Sequence, residues 1–148
     1  ELLKGVLAVL VVKMVMGNDF VMLAYAGIGA VVGHNFPVWL GFKGGRGLAT
    51  AAGVMLVLGW VFVPIWMAVW FVGNKIFKDV NLGNACGTIA ILFVGMFSPL
   101  SILVKMIPDS PPVFDFKVFI VVLALVILSR LIQPVREHFS KLTADAPN

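Results

Sequence analysis

The chain has 148 residues, of which 61% are hydrophobic and only 12% charged, and its mean hydropathy is +1.06. Soluble globular domains are roughly 45–50% apolar, so a water-soluble domain is excluded and an integral membrane protein is expected. The net charge of +4 is spread in ones and twos between apolar runs, which leaves no dense basic face for nucleic acid, and the lone Cys86 permits neither an intramolecular disulfide nor a cysteine metal cluster.

A hydrocarbon core of about 30 Å needs roughly 20 apolar residues per helix. The chain starts Glu1-Leu-Leu-Lys-Gly with neither the basic stretch nor the cleavage site of a signal peptide, and the expectation is a fragment whose N-terminal part is missing. Residues 6–16 form a short apolar run carrying Lys13, whose ammonium is expected to snorkel to the interface opposite Lys4. Residues 20–40 form a full-length candidate span with His34, Asn35 and Pro37 near its end. Residues 48–72 and 82–107 each read as one long crossing, with Ser98-Pro99 as a candidate break in the second. The fifth run covers 118–128 and extends to Ile132 past Arg130. Beyond it Leu131, Val135, Phe139 and Leu142 recur at helical spacing among charges, so residues 130–148 are expected along the membrane surface.

These runs predict an all-α polytopic transmembrane helical bundle with about five apolar segments, forming a single domain over residues 1–148. Gly29-x-x-x-Gly33 and Gly83-x-x-x-Gly87 have the spacing that lets membrane helices approach closely. Trp39, Trp60, Trp66 and Trp70 are read as interfacial or lipid-facing, and Asp19, Asp79, Asp109 and Asp115 as isolated acids near span ends. Five simple crossings set Lys4, Lys43, Arg46, Lys105 and Lys117 against Lys75, Lys78, Arg130, Arg136 and Lys141, a tie by the positive-inside rule. A break at Ser98-Pro99 would tip the balance toward a cytoplasmic glycine loop.

Residues 33–50 read Gly-His-Asn-Phe-Pro-Val-Trp-Leu-Gly-Phe-Lys-Gly-Gly-Arg-Gly-Leu-Ala-Thr, a polar interruption of an apolar chain. Gly41, Gly44, Gly45 and Gly47 allow positive φ values and convergent N–H groups, while Lys43 and Arg46 add positive charge, a combination suited to a phosphate or another anion. It is not a Walker A loop, because Arg46-Gly47-Leu48 stands where that motif ends in Gly-Lys-Ser/Thr. Lys43 and Arg46 also read as juxtamembrane anchors, His34 as a hydrogen-bonded packing residue, and Asn81, Asn84 and Thr88 as helix-to-helix hydrogen-bonding groups. No Ser-His-Asp set or carboxylate pair stands out, and His138, the second histidine, lies in the tail, so no metal site is expected.

The stretch 33–50 closely resembles the second motif of the bacterial acyl-phosphate-dependent glycerol-3-phosphate acyltransferases, the PlsY family. Glu1-Leu-Leu-Lys-Gly resembles the family's Asp-x-x-Lys-Gly start of its second helix, with glutamate for aspartate. The resemblance implies transfer of a fatty acyl group from acyl phosphate to the 1-hydroxyl of glycerol 3-phosphate, giving lysophosphatidic acid at the cytoplasmic face of a bacterial inner membrane. It implies no metal or coenzyme A cofactor, and as partners acyl phosphate, glycerol 3-phosphate and membrane lipid, with no nucleic acid and a monomeric chain.

Three departures accompany the resemblance. A Ser-Gly-Asn-x-Gly-Ala-Thr-Asn type first motif would lie upstream of Glu1. Val80-Asn81-Leu82-Gly83-Asn84 stands where the family has a Val-Ser-Leu-Ala-Ser type segment, and Leu131-Ile132-Gln133-Pro134 stands at the His-Arg-x-Asn type third motif. On this basis His34, Lys43 and Arg46 are the candidate catalytic residues. Lys4, Asn35, Gly41, Gly44, Gly45, Gly47, Thr50, Asn81 and Asn84 are the candidate phosphate-binding residues. The alternative expectation is a non-catalytic relative that binds or transports a phosphorylated lipid or another anion.

Overall fold

The computed structural model describes residues 1–99, 102, 107 and 112–144, with side chains as far as residue 140. Lys105, Asp109, the Lys141 and Leu142 side chains and the last four residues of the tail lie outside the described residues. The about five expected apolar segments correspond, among the described residues, to six α-helices: α1 (Leu2–Met16), α2 (Phe20–Asn35), α3 (Leu48–Leu58), α4 (Phe62–Phe77), α5 (Val80–Phe97) and α6 (Val113–Ala144). A short 3-10 turn covers Val38–Leu40, and no strand occurs among the described residues. Phe20–Leu40, Val80–Phe97 and Val113–Ser140 are long and apolar enough to cross a membrane, whereas Leu48–Leu58 and Phe62–Phe77 are shorter.

Local chemistry sets the boundaries. Two of the acids expected near span ends are N-caps: Asp19 accepts from the N–H groups of Val21 and Met22 at 2.9 and 3.3 Å, and Asp79 from those of Asn81 and Leu82 at 2.7 and 2.9 Å. α4 stops at Lys78, which adopts a left-handed φ of 51°, and α5 stops at Ser98, held extended before Pro99. The expected single span 48–72 is corrected to two helices, because the chain reverses over Gly59-Trp60-Val61 and Pro64 sits in the first turn of α4, where its missing N–H costs nothing.

That split changes the topology. α3 leaves the glycine loop, and α4 returns, because Asp79 beyond its end meets His138 of α6 at 3.2 Å. Arg130 of the same helix touches the loop, about 12 Å away along the axis at 1.5 Å per residue. Glu1, the loop, the start of α5 and the C-terminal half of α6 therefore share one end of the bundle.

The surface segment expected over residues 130–148 is corrected at its start, which continues the fifth apolar run. α6 runs unbroken through Pro134, and Leu131 at 1% exposure belongs to the core. Pro134 cannot donate to the Arg130 carbonyl, but that one lost bond does not end a helix packed along its length.

The far end of the bundle is closed by Phe20, Phe62, Phe116 and Phe119, with ring centroids 5.5–6.2 Å apart. Close backbone approach occurs where Gly5 and Gly53 set α1 directly on α3, and a Cβ on either would press into the other helix's backbone. Gly83 and Gly87 pack against α4 as their spacing predicts, but Gly29 and Gly33 face open space, and Gly27 is the residue of α2 that meets Val54. Trp39 and Trp60 are exposed as expected. Trp66 and Trp70 are instead half-buried against α5 and stacked on each other, and Trp66 Nε1 lies 3.5 Å from Thr88 Oγ1.

Candidate functional site

The glycine loop joins α2 to α3 at the polar end of the bundle. Gly41 and Gly47 have φ values of 60° and 71°, the left-handed region that glycine adopts without strain. Gly44 and Gly45 are not in that region. They are small because the loop folds back on the end of α2, where a Cβ on Gly44 would strike the His34 and Asn35 carbonyls and one on Gly45 the His34 ring. Gly45 N–H donates to the His34 carbonyl at 3.2 Å, which pins the fold-back.

The N–H groups of Arg46, Gly47, Leu48 and Ala49 have no hydrogen-bond acceptor among the described residues, whereas Ala51 N–H already bonds Gly47. They form the open N-terminus of α3, a cluster of donors carrying the positive end of a helix dipole. Lys43 and Arg46 are exposed beside them, with no ion-pair partner among the described residues. An anion docked there meets backbone donors and two cations at once.

Beneath the loop, Asn35 and Thr50 are fully buried. Asn35 Nδ2 donates to the Val126 carbonyl at 3.4 Å, while Asn35 Oδ1, against Gly47, and Thr50 Oγ1 have no hydrogen-bond partner among the described residues. Both therefore support the loop floor rather than line its outer surface. His34 Nδ1 lies 2.5 Å from Glu1 Oε2, and Lys4 Nζ donates to Glu1 Oε1 at 2.8 Å. The Lys4 hydrogen bond, with the His34 charge adding to it, holds the Glu1 carboxyl below its ordinary value.

The structure thus brings Lys4, His34, Asn35, the four loop glycines, Lys43, Arg46 and Thr50 to one place. Asn81 and Asn84 stand apart on α5, and no hydrogen bond joins them to the loop among the described residues. Asn84 is buried, and Asn81 Oδ1, next to the Asp79–His138 pair, has no hydrogen-bond partner among the described residues. Burial pushes the Asp79 carboxyl up, but the Leu82 and Asn81 N–H groups and His138 more than offset this and hold it below its ordinary value.

Sequence reasoning missed Arg130, read only as a cation at a span end. Its Nη2 and Nε donate to the Gly44 and Gly45 carbonyls at 3.1 and 3.3 Å, and its guanidinium lies 5.1 Å from the Phe36 ring centroid. The available signal was a lone cation inside the apolar run 126–132, which needs a partner at that depth. An apolar cleft starts at Leu48, directly behind the loop, and continues between α3, α4, α5 and α6 past Met55, Trp66 and Ile120 to Phe62, with Thr88 among its lining.

Fold and site together define a polytopic helical membrane protein that presents a glycine-loop donor cluster beside an apolar cleft. Residues 1–141 match the family model described as glycerol-3-phosphate acyltransferase, and the chain belongs to that family. Two similar relatives, both named glycerol-3-phosphate acyltransferase, come from Paramagnetospirillum magneticum, 45% identical over 79 residues, and a Thermoanaerobacter species, 39% identical over 94. These matches cover 53% and 64% of this chain but 38% and 46% of the relatives, so the chain spans less than half of their length. The fold is similar to the crystal structure of PlsY, an integral membrane glycerol 3-phosphate acyltransferase, in its glycerol 3-phosphate form. That match has a TM-score of 0.73 at 26% identity and covers 95% of this chain and 64% of PlsY.

Proposed function

We propose that the protein containing this chain transfers a fatty acyl group from acyl phosphate to glycerol 3-phosphate, forming lysophosphatidic acid. The observation that carries this reading is the junction at Leu48, where four free N–H groups and two cations stand at the mouth of an apolar cleft. An acyl phosphate has the matching form, a dianionic head on an apolar tail, and the cleft lining is almost wholly apolar.

In this reading the donor phosphate sits on the Arg46–Ala49 N–H groups, with Arg46 offering a two-pronged fork and Lys43 a point charge. The glycerol 1-oxygen attacks the acyl carbonyl carbon, the carbon–oxygen bond to phosphate breaks, and inorganic phosphate leaves. A substrate phosphate oxygen takes the hydroxyl proton. The loop donors stabilise the charge that develops on the leaving group, and His34, oriented by Glu1, positions the loop and substrate. The step requires neither metal nor coenzyme.

We place the loop on the cytoplasmic side of a bacterial inner membrane and the residues 1–148 in one acyltransferase-like domain, acting as a monomer. Among the described residues Lys4, Lys43, Arg46, Lys75, Lys78, Arg130 and Arg136 gather at the loop end, against Lys13 and Lys117 at the other, and this asymmetry supports a cytoplasmic loop.

A second reading, a non-catalytic relative that binds or moves a phosphorylated lipid, is favoured by Leu131, which fills the core where the family's third motif has histidine. The deciding experiment incubates membranes holding the complete reading frame with acyl phosphate and labelled glycerol 3-phosphate. Labelled lysophosphatidic acid supports the enzyme, and its absence from folded protein supports the binder.

A further inference from the structure

We propose that Arg130 is a positioning residue for the anion site, aiming the loop's backbone donors by holding their carbonyls from the opposite side. The inference rests on the reading of the loop as a phosphate site. In a trans peptide unit the C=O and the following N–H point in opposite directions. Arg130 Nε takes the Gly45 carbonyl, so the Arg46 N–H of the same unit is turned away from α6. Arg130 Nη2 takes the Gly44 carbonyl, and the N–H of that unit is already committed to His34. Two adjoining peptide planes are thereby fixed from one guanidinium, and Arg46 becomes the first free donor in the series that continues through Gly47, Leu48 and Ala49.

The guanidinium itself is held. Its face lies on the Phe36 ring, and its helix is tied to the loop floor by the Asn35-to-Val126 hydrogen bond four residues earlier. A planar fork with several donors reaches two successive carbonyls in one plane, whereas a lysine ammonium offers a single point and cannot reproduce the pair. Arg130 directly precedes the segment 131–134, where the chain departs from the family's third motif. The sequence distance of 85 and 86 residues makes the contact a tie between the last helix and the site.

The test uses the complete protein in detergent micelles and reads trypsin cleavage at Lys43 and Arg46 by mass spectrometry, with and without inorganic phosphate. Wild-type protein is cleaved slowly, and phosphate slows cleavage further. Arg130→Gln is expected to be cleaved at least tenfold faster and to need at least tenfold more phosphate for half-protection, with Arg130→Lys close to Gln. Where acyl transfer is measurable, KM for acyl phosphate rises and the thermal midpoint stays within a few degrees. Should Arg130→Gln fail to fold, Phe36→Leu gives the same changes at smaller size. Equal phosphate protection in wild type and the folded variant overturns the role of Arg130 alone. A wild-type loop that phosphate does not protect overturns the phosphate reading and this inference with it. Acyl-transfer failure in protein that phosphate does protect refutes the enzyme and leaves the role of Arg130 supported.

Discussion

Gly53→Ala tests whether α3, the helix that carries the loop, is held by direct backbone contact with α1. The added Cβ would overlap the Leu2 carbonyl oxygen and lie 3.0 Å from the Leu2 carbonyl carbon and 3.1 Å from the Val6 nitrogen, where ordinary contact starts at 3.4 Å. All three are backbone atoms, so no flexible side chain yields and the helices must separate. Such overpacking costs about 1–3 kcal/mol and more where the wall is rigid. Alanine's better helix propensity returns about 1 kcal/mol. With the upper end of that range for a wall of backbone atoms the net loss is about 2 kcal/mol, and for a chain of this length that lowers the midpoint by roughly 4–8 °C. Gly29→Ala is the control, since nothing lies within 4 Å of its new methyl group and only the propensity gain remains. Thermal unfolding of both variants in detergent, followed by circular dichroism, should give a lower midpoint for Gly53→Ala and an unchanged or higher one for Gly29→Ala. Equal midpoints would refute the backbone-contact reasoning.

Gly47→Ala places a Cβ at φ 71° and against Asn35 Oδ1, so it should lower anion binding at the loop at least tenfold, whereas Gly41→Ala, strained but open, should leave binding intact. Phosphate protection of the loop from trypsin measures both. Phe116→Ala removes a fully buried ring from the four-phenylalanine cluster and should destabilise by about 3–5 kcal/mol, seen in the thermal midpoint. Asp79→Ala removes the α5 cap and should cost about 1 kcal/mol at pH 7. The folded Asp79 carboxyl lies below its ordinary value of 3.8, so the cap is fully present above that pH and is lost as pH falls through the lower folded value. The stability gap between wild type and Asp79→Ala should therefore close only below pH 3.8.

Residues 33–50 were legible because polar and glycine residues have few uses within an apolar chain, and the structure folds them into the end of α2, the glycine loop and the start of α3, with Lys43 and Arg46 exposed. What failed to show depended on three-dimensional packing. Hydropathy does not register a reversal of direction, so the three-residue turn at Gly59-Trp60-Val61 vanished inside the run 48–72, and with it the correct sidedness of Lys75 and Lys78. Glycine spacing marks a small-residue face but not whether a neighbour covers it, which is why Gly29 and Gly33 misled while Gly83 and Gly87 did not. Arg130 could be seen as a cation needing a partner, but a partner 85 residues away is set by how α6 lies against the loop. Gly44 and Gly45 read in the sequence as sites of positive φ, and their actual constraint is the volume taken by His34, Asn35 and Pro37.

The most direct test of the central claim, that the glycine loop holds a substrate phosphate for acyl transfer, is the rate of lysophosphatidic acid formation by the complete protein carrying Arg46→Ala and Lys43→Ala together. Loss of two charge-assisted contacts, each about 1.5–3 kcal/mol, predicts a fall of at least a hundredfold with the thermal midpoint unchanged. Wild-type turnover in the folded double variant would contradict the account.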